Sequence, residues 1–274
     1  MAGSIKTLAA ILVGGTLLGL VILLVGHARA KSGQVQCTNN LKLLGLGIHG
    51  YHDANRRFPA ATHDNPQLPP DKRFSWLIGV FPAYMEAGPF LLIDKAKAWD
   101  ASENSPLHAK LVTSQCEVIS EDFVMGELSI FLCPNNPARM QATMPAVTHY
   151  VGVSGVGTGA SLLPIEDAKA GIFGHHRKVT LKDLQHGTET TIMAAETLDV
   201  GPWTAGGHAT VRDLIPDALP YFGEEAQFGA NHRSVSNVLF ADASVRTFDA
   251  SLNPRLAEAM AALAGKVDQS QLDD

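Results

Sequence analysis

The sequence predicts an α+β protein: one long N-terminal helix carrying a mainly antiparallel β head, closed by a short C-terminal helix. Three observations predict it. The 19 residues from Thr7 to Val25 carry no charge, and they run straight into an amphipathic segment with apolar residues at Cys37, Leu41, Leu44, Ile48 and Tyr51. This alternating spacing of four and three residues lines one face of a helix. Further on, short β-prone runs alternate with glycine- and proline-rich connections, as in Val238-Leu239-Phe240 and Val245-Arg246-Thr247-Phe248. Asn253-Pro254 then opens a last helix with Asn as N-cap, Pro at the first helical position and an apolar stripe of Leu256, Met260, Leu263 and Val267.

The first segment sets the architecture. A helix from Ile5 to Asp53 is roughly 75 Å long at 1.5 Å per residue, against a hydrocarbon core of about 30 Å. The apolar half suits lipid, and the amphipathic half carries the head away from it. Residues 1–57 thus form anchor and stalk, 58–252 the head, and 253–274 the C-terminal helix and tail. Met1–Lys6, the apolar run and Ala28-Arg29-Ala30 also imitate a cleavable signal. The run exceeds the usual length of a signal core and suffices to span, so an uncleaved anchor is the main expectation and a cleaved signal the alternative. Lysine and arginine are almost balanced across the span, so charge leaves orientation open.

Charge excludes one class of partner. Residues 1–57 hold six basic side chains against Asp53, a net +5, so with −6 overall the remainder carries −11. An acidic head argues against nucleic acid, which requires a basic face. The basic stalk suits a membrane surface. Expected partners are membrane lipid and other membrane or envelope proteins, met through the span and the head. Gly15 and Gly19 form a small-xxx-small pair that permits close approach of another membrane helix.

The three cysteines are Cys37, Cys116 and Cys133. An odd number allows one disulfide with a thiol left over. Cys37 lies on the apolar stripe and Cys133 precedes Pro134 after the strand-like Ile130-Phe131-Leu132, so these two form the expected pair, clamping stalk to head. Three buried free thiols are the alternative.

Catalytic and metal signals are weak. His49 and His52 sit one turn apart beside Asp53, without a third ligand, and read as a surface or head-contacting pair. His175-His176-Arg177 reads as a solvated loop cluster. Gly152–Gly159 lacks the Lys-Ser/Thr ending of a phosphate loop and reads as a loop or bulged strand. His232 and Asp242 could form a hydrogen-bonded imidazole–carboxylate unit, but no nucleophile motif accompanies them. They are expected to act as a structural brace. No enzyme activity, cofactor or metal is expected.

Motifs then accumulate in order along the chain. They are Cys37–Pro59; Ser75-Trp76 with Phe81-Pro82-Ala83-Tyr84-Met85-Glu86; Phe131-Leu132-Cys133-Pro134; and His149–Gly155. Leu184 through Gly187-Thr188 to Glu196 follows, then Pro202-Trp203-Thr204 ahead of Asp213-Leu214, and finally His232 with Asp242 nine residues beyond. Together they resemble a large bacterial family of pseudopilin-like envelope proteins of unknown function, domain of unknown function 1559, whose C-terminal signature is His-x9-Asp-Gly. The resemblance implies a pilin-like fold and a head in the periplasm, anchored in the inner membrane by a single pass.

Two departures stand out. Family members usually begin with the prepilin leader Gly-Phe-Thr-Leu-Ile-Glu, whereas this chain has Gly3-Ser4-Ile5-Lys6-Thr7-Leu8 and no acidic residue before Asp53. This argues against prepilin processing and filament assembly. Ala243 stands where the signature has glycine, implying another turn type or strain. The expected function is that of a non-enzymatic, membrane-anchored protein with an assembly, secretion or structural role. The alternatives are an accessory subunit of another membrane complex and, behind it, a metal-dependent binding module or enzyme.

Overall fold

The computed structural model describes residues 2–80, 93–104, 129–135, 147–232 and 234–266, with side chains from Leu12 onward. Cys116, the Phe81–Glu86 motif, Val267 and the tail lie outside the described residues.

Helix α1 (Ala2–Asn55) is a single rod, about 80 Å long. Its two halves have opposite surroundings. Ten apolar side chains from Leu12 to Val25 are between 45 and 73 % exposed and point in every direction around the axis. Cys37, Leu41, Leu44 and Ile48 are fully buried, so the predicted stripe is the face that meets the head. A helix apolar all round and uncovered matches lipid rather than a protein interior, and α1 is long and apolar enough to span a membrane.

The head is built on a five-stranded sheet of order β3-β1-β2-β6-β7: β1 (Val147–Val156), β2 (Ile192–Pro202), β3 (Val211–Leu214), β6 (Val235–Phe240) and β7 (Val245–Asp249). Three pairings are antiparallel and β1–β3 is parallel, which makes the sheet mixed. A two-residue ladder, β4 (Phe222–Gly223) with β5 (Phe228–Gly229), lies apart. The sheet separates two apolar layers. On one face Tyr150, Met193, Trp203 and Leu239 pack with the α1 stripe and with α2 (Trp76–Val80). On the other, Val151, Val153, Ile192, Val238 and Phe240 pack with α3 (Pro254–Ala261). A bulge between Ile192 and Ala194 breaks the two-residue alternation of β2, so Met193 and Ala194 both face the stalk.

The expected local signals appear where the residues placed them. β6 and β7 form the predicted hairpin, with Leu239 opposite Val245. Asn253 caps α3, its side chain accepting from the Arg255 N–H at 3.0 Å. The helix stops at Ala261, shorter than its stripe suggested, yet Leu263 is still buried. The glycine-rich stretch is the end of β1 and the turn that follows it; within the strand Gly155 has φ +123°, and a side chain there would strike the Lys169 carbonyl.

Candidate functional site

Four polar side chains meet where stalk and sheet touch. Cys37 comes from α1, Cys133 from the turn after the short 3-10 segment Ser129–Phe131, Glu196 from β2, and His232 from the loop leading into β6. One sulfur, nitrogen or carboxylate oxygen from each lies within 4.8 Å of all the others. All four are buried, none more than 3 % exposed. Among the described residues this is the one grouping of histidine, cysteine and carboxylate close enough to hold a metal ion.

Each member is held by its own element. The Glu196 Oε1 faces His232 Nε2 at 3.1 Å, while its Oε2 accepts the Asn237 N–H at 2.7 Å. The β2–β6 ladder has just ended at Ala195 opposite Val238, so the carboxylate takes the donor that a strand partner would have taken. His232 Nε2 also lies 3.4 Å from Cys133 Sγ, and its Nδ1 lies 3.1 Å from the Asn135 side-chain amide. The Cys133 N–H donates to His149 Nδ1. Asn40, one turn beyond Cys37, donates to the Leu132 carbonyl and the Tyr150 hydroxyl, which ties the cysteine-bearing turn to α1.

The electrostatics follow from this crowding. The Cys37 thiol donates a hydrogen bond to Cys133, and this, with burial and the nearby Glu196 charge, pushes Cys37 far up. The same bond, opposed by burial and aided by His232, pulls Cys133 down. Burial alone would lower His232, but its hydrogen bonds and charge interactions with Cys133 and Glu196 raise it to about 9. The arrangement is thus a buried imidazole between a cysteine sulfur and a carboxylate.

The structure sets Cys37 beside Cys133, the two that the sequence pairs, and carries both as free thiols. The brace partner needs correction. β6 lies between His232 and Asp242 and spans about 17 Å at 3.4 Å per residue. Asp242 sits in the exposed β6–β7 turn, where its carboxylate accepts the Ser244 N–H, and the acid that meets His232 is Glu196. A charged residue closing the apolar run Ile192-Met193-Ala194-Ala195 was the available sign of Glu196.

The His175–Arg177 reading is also corrected. Arg177 is buried and its guanidinium donates to the carbonyls of Gly171, Ala160, Leu163, Phe173 and Ser154. His175 is buried beside it, and only His176 of the three is exposed. Thr62, His63, Trp76, His175 and Arg177 line an open cavity of about 500 Å³ at the far end of the stalk. His49 and His52 flank the Phe58 ring, at 6.4 and 5.2 Å, as head contacts. At Gly15 and Gly19 an added side chain would meet nothing within 4 Å.

The family model described as "Protein of unknown function (DUF1559)" matches residues 26–213. The chain belongs to this family. The DUF1559 match starts at the end of the apolar run and takes in the buried half of α1, β1, β2 and most of β3. Three of the four clustered residues, Cys37, Cys133 and Glu196, lie inside the DUF1559 region, and His232 follows it. No curated protein and no solved structure matches the chain.

Proposed function

We propose that this DUF1559 protein is a single-pass envelope protein of pseudopilin-like build, held in the bacterial inner membrane with its head in the periplasm. Its role is non-enzymatic, in assembly, secretion or envelope structure. The observation that supports this most is the division of α1: one continuous helix is apolar and uncovered over Leu12–Val25 and is the core of the head from Cys37 to Ile48. A rod of this kind fixes the head at a set distance from the bilayer, because a helix resists bending where a flexible linker would not. Such a head acts by presenting surface to neighbours. In the bilayer, Gly15 and Gly19 offer the face for a neighbouring span.

The test is fractionation combined with topology. The protein should remain with membranes through carbonate and high-salt washing, and a tag at the C-terminus should become protease-sensitive once the outer membrane is opened. Release of a soluble form starting near Lys31, or a tag protected until the inner membrane is broken, overturns the reading.

A further inference from the structure

We propose that Cys37, Cys133, Glu196 and His232 bind one zinc-class divalent ion, which clamps the stalk helix to the head. The donor set is two sulfurs, one imidazole and one carboxylate. Sulfur and nitrogen donors select zinc and its tetrahedral relatives, whereas calcium and magnesium need oxygen cages.

The spacing fits. Ligands held 2.0–2.3 Å from a tetrahedral zinc stand roughly 3.3–3.8 Å from one another. Here His232 Nε2 lies 3.4 Å from Cys133 Sγ and 3.1 Å from Glu196 Oε1, and every pair in the set is within 4.8 Å. The four arrive from four separate segments, so the ion would join the stalk, the turn at Cys133, β2 and the loop before β6. The four donors are buried and all come from the protein, which is the pattern of a structural ion rather than a catalytic one.

Charge and support point the same way. Two thiols, a carboxylate and an imidazole buried together are an expensive arrangement for apolar packing alone, and a divalent cation gives each of them a partner. The ligands are already oriented from behind. The second oxygen of Glu196 is fixed by the Asn237 N–H, and the far nitrogen of His232 lies 3.1 Å from the Asn135 amide nitrogen, which also donates to the Ala30 carbonyl. A Cys37–Cys133 disulfide would use the two sulfurs but give no reason for a buried glutamate and histidine to converge on them.

The experiment titrates Co²⁺ into reduced, chelator-treated full-length protein in detergent. The expected result is saturation at about one equivalent, with thiolate-to-cobalt charge transfer and tetrahedral d–d bands, and bleaching when Zn²⁺ displaces the cobalt. Cys133→Ser should reduce the charge transfer, Cys116→Ser should leave it intact, and Asn135→Ala should weaken binding by about 10- to 100-fold. The wild-type spectrum needs no variant to fold. Absence of thiolate–cobalt bands in the wild type overturns the proposal, as does a Cys37–Cys133 disulfide mapped in protein alkylated directly from cells. Metal content and membrane anchoring are read separately, so this inference and the proposed function can fail independently.

Discussion

Gly45 of α1 and Ala243 of the β6–β7 turn are matched in size. A methyl group on Gly45 would stand 2.9 Å from the Ala243 Cβ and 3.1 Å from Leu239 Cδ1, inside normal contact. Ala243 also has φ +65°, a left-handed conformation that glycine adopts at less cost. Ala243→Gly should therefore stabilise the head by about 0.5–1 kcal/mol. Gly45→Ala should cost about 1–2 kcal/mol despite its better helix propensity. The double variant should recover part of that loss, because the Ala243 methyl is gone while Leu239 stays. Urea unfolding of the three variants measures the coupling.

Arg177 holds together a stretch of irregular backbone. Its five donors go to five carbonyls of segments 154–173, where few strands are present to pair them. Arg177→Met should destabilise by about 3 kcal/mol or more, since several buried acceptors lose their donors together. Arg177→Lys should recover little, because an ammonium cannot reproduce the planar fork. Equal denaturation midpoints for wild type and Arg177→Lys would contradict this.

His175 should make the head acid-sensitive. Burial first, then the charges of Arg73, His176 and Arg177, lower it from 6.5 to about 4, against an opposing pull from Asp213. The folded state therefore keeps it neutral where the unfolded chain would already bind a proton. The resulting stability is present above pH 6.5 and is lost as pH falls towards 4. The loss is roughly 2 to 3 kcal/mol for a buried group of this kind. His175→Gln should flatten the fall in thermal midpoint between these pH values, and an unchanged slope would remove His175 as its source.

What the residues disclosed follows the range of the interactions involved. The stalk stripe, the β6–β7 hairpin and the Asn253 cap depend on neighbours within a few positions, and each was readable from period or turn chemistry. Cys37 and Cys133 were paired because both sit in apolar settings that must be buried. Glu196 and Arg177 were missed because their partners come from distant segments, and a charged side chain in isolation reads as solvated. The brace was misassigned through the His-x9-Asp spacing itself: the run Val235–Phe240 inside it is extended, so it carries Asp242 away from His232.

The last prediction separates the two acids. In metal-free protein, His232→Ala should cost about 2–4 kcal/mol, because the Glu196 carboxylate is left buried without its imidazole. Glu196→Ala should cost a similar amount, since it frees both His232 and the Asn237 N–H. Their double replacement should fall well below the sum, because both changes break the same contact. Asp242→Ala should cost under about 1 kcal/mol, the worth of one exposed turn bond to Ser244, and should add to His232→Ala without coupling. A coupling between His232 and Asp242 as large as that between His232 and Glu196 would reverse the assignment. Chemical denaturation of the five variants decides it, with an unchanged denaturant slope confirming that each variant keeps the native compactness.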